Sequence, residues 1–176
     1  MKKFICILFS MITLISACSS GKQEYKTTIY PSEILTAEDL APYIGYTPLM
    51  NEERSRREST VTYVNENIGE GEPVEIKIFQ KNQLQSEDKV REYFDECRQK
   101  RSDSFPIESL GVDSFIAYPS IHYYIEGYHV KITAGTGSDN LQKALLMNLA
   151  RLSLQKFTEL TGIETKVLLN SSDNSK

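Results

Sequence analysis

Apolar and polar positions alternate through residues 121–134, Ile-His-Tyr-Tyr-Ile-Glu-Gly-Tyr-His-Val-Lys-Ile-Thr-Ala. Period-two alternation on both sides of Glu126-Gly127 predicts a half-buried β-hairpin. With a two-residue loop, Ile125 faces Tyr128, Tyr123 faces Val130 and Ile121 faces Ile132, all on one face. The other face carries Tyr124 opposite His129 and His122 opposite Lys131. A slip of one residue would exchange the two faces, so the pattern sets the register. A type I′ turn needs positive φ at both loop residues, which suits Gly127 and not Glu126. A four-residue loop, Ile125 to Tyr128, keeps the register without that strain.

Two further strands are predicted at residues 59–65 and 73–80, where Val61 and Tyr63, then Val74, Ile76 and Ile78, alternate with polar residues. The link between them is glycine-rich and acidic. Its Glu66, Glu70 and Glu72 lack the spacing of an EF-hand loop, and we read it as a solvated hairpin tip. Residues 51–58 interleave three arginines with three glutamates and read as an exposed charged loop.

Helical spacing appears three times. Thr36 and Asp39 form a capping-box pattern before Leu40, Tyr43 and Ile44, with Gly45 as the stop, predicting a short helix over 37–44. Ser86 caps a second helix, whose Val90, Phe94 and Cys97 share a narrow face. Cys97 lies near that helix's C-terminus, where the dipole disfavours a thiolate, so it reads as a small core residue. The longest helix spans 141–160, with Ser138 as N-cap and Gly162 as C′. Leu141, Leu145, Leu149, Leu152 and Leu160 line it, and Leu146, Ala150, Leu154 and Phe157 widen the stripe. Residues 164–169 are expected to add a short strand.

This order predicts an α+β domain over residues 36–169: an antiparallel sheet of two ββα units, 59–101 and 112–162, with helices mainly on one face. Residues 18–35 read as a flexible tether and 170–176 as a disordered tail.

The N-terminus changes the picture. Lys2 and Lys3 precede an apolar run, and small residues follow it, as in a secretory signal peptide over residues 1–17. The run falls short of the roughly 20 residues of a membrane span. Its end, Ile15-Ser16-Ala17-Cys18, resembles the lipobox of bacterial lipoproteins. That resemblance implies cleavage before Cys18, a lipid on its sulfur and an extracytoplasmic domain anchored to the cell membrane. In a Gram-negative organism, Ser19 would permit outer-membrane sorting. With the lipobox, the layout is similar to small uncharacterised bacterial lipoproteins, some with a PsbP-like sandwich or a TATA-binding-protein-like sheet. The likeness in layout brings no catalytic residues.

Cleavage removes two of the 20 basic residues and none of the 24 acidic ones, moving the formal charge from −4 to −6. An acidic chain argues against nucleic acid as a partner. Cys18 and Cys97 are the only cysteines left after cleavage, so no intramolecular disulfide forms once Cys18 carries lipid.

Catalytic motifs do not emerge. The chain has no Gly-x-Ser-x-Gly, His-Glu-x-x-His or Walker pattern. The glycines at 135 and 137 precede a helix, but no Lys-Ser/Thr follows and Asp139 would repel phosphate. His122 and His129 occupy diagonal positions of the hairpin, with Cβ atoms roughly 7 Å apart, and no third metal ligand is set by the pattern. The expectation is therefore a non-enzymatic binding or scaffolding domain without cofactor or metal. It engages the membrane through Cys18 and a protein or cell-wall partner through the polar hairpin face, at His122, Tyr124, His129 and Lys131. The alternative is a cell-envelope enzyme or metal-binding protein whose site is assembled from distant residues.

Overall fold

The computed structural model describes residues 25–67 and 71–165. The signal peptide, the lipobox with Cys18 and the C-terminal tail lie outside the described residues. So does most of the expected strand at 164–169, and its first two residues are not in a strand.

The described residues form an α+β fold around one seven-stranded antiparallel sheet in the order β1-β2-β3-β7-β6-β5-β4. The strands are β1 Leu49–Arg54, β2 Ser59–Val64, β3 Val74–Gln80, β4 Phe105–Pro106, β5 Asp113–Ala117, β6 Ser120–Ile125 and β7 Tyr128–Ala134. The helices are α1 Pro31–Ile34, α2 Ala37–Ile44, α3 Lys81–Leu84, α4 Glu87–Gln99 and α5 Asn140–Thr161.

The central hairpin has the register read from its alternation. Ile125 pairs with Tyr128, Tyr123 with Val130, Ile121 with Ile132, Tyr124 with His129 and His122 with Lys131. The two-residue loop wins over the four-residue one: Glu126 has φ 41° and Gly127 φ 83°. The hairpin therefore keeps a non-glycine residue in left-handed space, and the ladder on either side holds it there. Strands β2 and β3 fall within the expected ranges 59–65 and 73–80, and their ladder pairs Val61 with Ile76 and Tyr63 with Val74.

Adjacent residues of β7 show how the helices are arranged. Tyr128 packs edge-on against Phe157 of α5, with ring centroids 5.0 Å apart. His129 packs edge-on against Phe94 of α4 at 5.1 Å. Successive side chains of a strand point to opposite faces, so the two long helices cover opposite faces of the sheet. The expectation of helices mainly on one face does not hold for α4. Its Val90 and Phe94 are buried, and the sheet supplies Phe115 and Ala117 as a partner surface for Phe94.

The main core lies on the α5 side. It joins Val61, Tyr63, Ile76, Ile78, Tyr123, Val130 and Ile132 to Leu146, Leu149 and Phe157. Helix α5 starts one residue earlier than expected, and Asp139, not Ser138, caps it by accepting from the Gln142 N–H at 2.8 Å. Its buried stripe is also rotated. Gln142 turns inward because its amide donates to the Ala134 carbonyl, while Leu141 points out and is 81% exposed.

Two loops from the sequence are ordered elements. The charged segment at 51–58 begins as edge strand β1, because backbone pairing with β2 tolerates exposed side chains on both faces. The segment assigned to the tether is docked from Tyr25 onward. Ile29, Ile34 and Leu35 are fully buried, and the Tyr63 hydroxyl donates to the Leu35 carbonyl. Apolar residues scattered through a mostly polar stretch show no periodicity, but the turn of α1 gathers them onto the core. Helix α2 matches its expected bounds, with reciprocal Thr36–Asp39 capping and left-handed Gly45.

Candidate functional site

The polar hairpin face was expected to be open. It is the floor of a small second core beneath α4. His129 is 0% and His122 6% exposed, while Tyr124 and Lys131 remain half-buried at the margin. This corrects the premise of an uncovered face. The structure does bring the two histidines together: His122 Nδ1 and His129 Nε2 are 3.0 Å apart, and their rings stack at 5.3 Å. The diagonal spacing allowed this because imidazoles reach across the gap between Cβ atoms.

Aromatic rings enclose the pair. His122 stacks on Phe115 at 4.4 Å, and His129 stacks on Phe79 at 5.1 Å with Tyr93 at 5.7 Å. His129 Nδ1 is buried without a hydrogen-bond partner. One ring must donate and the other accept. Donation from His129 Nε2–H to His122 Nδ1 leaves the orphan Nδ1 as a bare acceptor rather than a buried, unpaired N–H, which is the less costly of the two tautomers. Burial holds the His122 imidazole down to about 3, with the Lys131 and Arg101 cations adding to the effect. Burial, then His122 and Lys131, push His129 well below the usual histidine range. Both rings are therefore neutral at neutral pH.

Ion pairs along α4 clamp it over this face. Arg91 bonds Asp113 at 2.6 Å and Asp95 at 3.0 Å, and Arg98 also pairs with Asp113. Burial acts to raise the Asp113 carboxyl, but bonds from Arg98 and Arg91 hold it below the usual carboxylate range. At the hairpin end, the Tyr124 hydroxyl donates to Glu87 at 3.2 Å and accepts from the Gly127 N–H at 3.2 Å. Cys97 is a free thiol, half-buried against this cluster, and burial raises it. Its placement agrees with a packing role. No group of three His, Cys, Asp or Glu side chains among the described residues is disposed to hold a metal ion.

A second site was not visible in the sequence. At the far end of the sheet, where β3 begins and β7 ends, a cleft of about 440 Å³ is lined by Tyr43, Glu72, Thr136, Asp139, Leu141 and Leu145. An adjoining hollow of about 230 Å³ shares Tyr43, Glu72, Gln142 and Leu145 and adds Tyr46. The Thr136 hydroxyl donates to Glu72 at 2.5 Å, and the Tyr46 hydroxyl to the Glu72 carbonyl at 3.1 Å, tying the walls together. Leu49, Met50 and Val64 are exposed at the same end of the neighbouring strands. The one signal in the sequence was Leu141, whose place in the apolar stripe concealed its exposure.

No helix among the described residues is long and apolar enough to cross a membrane. No family model matches the chain, and neither a curated protein nor a solved structure matches it.

Proposed function

We propose that this chain is an extracytoplasmic lipoprotein, anchored by lipid on Cys18, whose domain binds or scaffolds a protein or cell-wall partner and performs no turnover chemistry. The position of the far-end cleft carries the reading. Tyr25 enters the domain against Gly162, and the Lys26 N–H donates to the Leu160 carbonyl at 2.9 Å, at the C-terminal end of α5. The cleft sits at the other end of that helix, whose 22 residues span about 33 Å. A lipid on Cys18 would leave only residues 18–24 between bilayer and domain, a reach of at most about 25 Å. An anchor so short would keep the α5 C-terminus toward the membrane and present the cleft away from it.

The cleft suits a partner rather than a nucleic acid. Its described lining combines tyrosine and leucine with two carboxylates, Glu72 and Asp139, and no lysine or arginine. Exposed apolar residues around a polar-edged cleft are what an interaction surface offers. Polar Tyr124 and Lys131 remain accessible at the α4 margin as a lesser contact. Within the same proposal, residues 59–101 act as one ββα unit and residues 112–162, whose hairpin β6–β7 is preceded by the additional strand β5, as a second, extended one, each contributing one long helix to the shared sheet.

The test is site-specific photo-crosslinking in the native membrane, with the crosslinker at Leu141 or, for comparison, at Lys131. Adducts with one cell-envelope partner from position 141, weakened by Tyr43→Ala, are the expected result. Adducts from position 131 alone would return binding to the hairpin margin. A stable protein with no adduct at either site would remove the proposal.

A further inference from the structure

The His122–His129 pair is sealed under a helix in a way that a packing role alone does not require. Each imidazole's hydrogen bond among the described residues is to the other, and no carboxylate bonds either ring. A first proton taken up at the bare Nδ1 of His129 puts a charge on the buried pair with no carboxylate to balance it. A second, on His122 Nδ1, turns the 3.0 Å contact into N–H facing N–H between buried rings. A buried charge without a partner is costly, and it is relieved by exposure to water.

The surroundings increase that cost. Lys131 of β7 stands across from His122 and, on its other side, across from Lys77 of β3. Arg91 and Arg98 approach from α4 over Phe94, and Arg101 lies just beyond the helix, bonded to the Tyr118 carbonyl at 2.6 Å. The carboxylates on this side are already engaged. Asp113 and Asp95 pair with the α4 arginines, Asp103 with Arg101, and Glu58 and Glu75 with Lys77. From α4, Tyr93 and Cys97 are neutral, since burial raises both, and Glu87 bonds Tyr124 at the edge.

The fold offers a local way to relieve the charge. The buried apolar cluster under α4 consists of Phe94, Phe115 and Ala117, whereas the main core on the opposite face involves α5, α1 and α2. Helix α4 is flanked by Gln85, in left-handed space with φ 76°, and by the turn after Gln99. Detaching it breaks the Asp113 ion pairs and the Phe94 contacts but leaves the α5 core intact.

We propose that α4 is an acid-released cover: protonation of the His122–His129 pair lifts it from the sheet while β2, β3, β6, β7 and α5 stay folded. Release bares an aromatic and cationic surface formed by Phe79, Phe115, His122, His129 and Lys131. The closed state keeps both rings neutral and the open state lets them ionise near their ordinary value. The open-to-closed ratio is therefore unchanged well above pH 6.5 and grows as pH falls below it. With two protons taken up, growth approaches about 100-fold per pH unit.

Hydrogen exchange of the lipidated full chain in detergent micelles, followed between pH 7.5 and 4.5 and corrected for intrinsic rates, tests this. Amides of α4 are expected to open about 100-fold more for each pH unit between 5.5 and 4.5, with α5 and β7 amides unchanged. Lys131→Gln, at a half-exposed position, removes a cation that disfavours the protonated closed state, so the acid-driven opening should level off at a higher pH. Opening of α4 and α5 together would mean that acid unfolds the whole domain, and constant α4 protection would mean that the pair does not titrate. Either result overturns the proposal.

Discussion

The Gln80 side chain clasps the backbone of Ile29 from both sides. Its Oε1 accepts from the Ile29 N–H at 3.0 Å, and its Nε2 donates to the Ile29 carbonyl at 2.8 Å. A buried amide at the end of β3 thus stands in for a strand neighbour and docks the entering chain. Gln80→Ala should leave two buried backbone groups unpaired and cost about 2 kcal/mol or more. Limited proteolysis should then cut within residues 25–35 well before it cuts the sheet. Equal resistance in both proteins would show that α1 holds the segment unaided.

Two leucines of α5 should respond differently to the same change. Leu149 is fully buried against the sheet, and Leu149→Ala should cost roughly 2–5 kcal/mol. Leu141→Ala, at an exposed position, should stay within about 0.5 kcal/mol. Urea unfolding of both variants measures the contrast.

Glu126 occupies the first loop position at φ 41°, which a side chain with a Cβ tolerates poorly. Glu126→Asn should stabilise the hairpin by roughly 0.5–1 kcal/mol, because asparagine accepts left-handed geometry more readily. Thermal denaturation at neutral pH is the check, and a lower melting temperature would count against the strain.

Asp39 joins two elements: it accepts from the Thr36 N–H at 2.8 Å and pairs with Lys156 of α5. Partial burial would raise its carboxyl, but bonds from Lys156 and Thr36 bring it below the usual value. A carboxyl depressed on folding stabilises above its unfolded value, near 3.8, and loses that contribution as pH falls through the lower folded value. Asp39→Asn should therefore cost about 1 kcal/mol at pH 7, and the difference from wild type should shrink below pH 4. A gap constant down to pH 2.5 would assign the cost to shape instead of charge.

Cysteine chemistry separates anchor from core. Cys18→Ala should abolish lipid attachment, read as loss of detergent-phase partitioning and of lipid mass. Cys97, raised by burial, should alkylate slowly at neutral pH in the folded protein and faster in urea. The melting temperature should be the same with and without reductant.

Local rules explain what the sequence conveyed. Period-two alternation set the register of β6 with β7, because a slip would have turned Lys131 and His129 into the main core. Thr36, Ser86 and Gly162 marked helix ends through hydrogen bonds spanning a few residues. Strand β1 escaped notice because an edge strand exposed on both faces carries no alternation. The cleft escaped because Tyr43, Glu72 and Leu141 are distant in sequence, and only the ends of α2, β3 and α5 bring them together.

The sequence by itself determined the hairpin, the strand register and the extent of α2, since each depends on side-chain periodicity or a neighbouring cap. It also determined that His122, Tyr124, His129 and Lys131 share a face. Only the tertiary structure decided that α4 covers that face, because the narrow stripe of Val90 and Phe94 can be buried on either side of a sheet. The ring of Phe94 against Phe115 and His129 made the choice. A polar surface in the alternation thereby became a sealed pair of imidazoles.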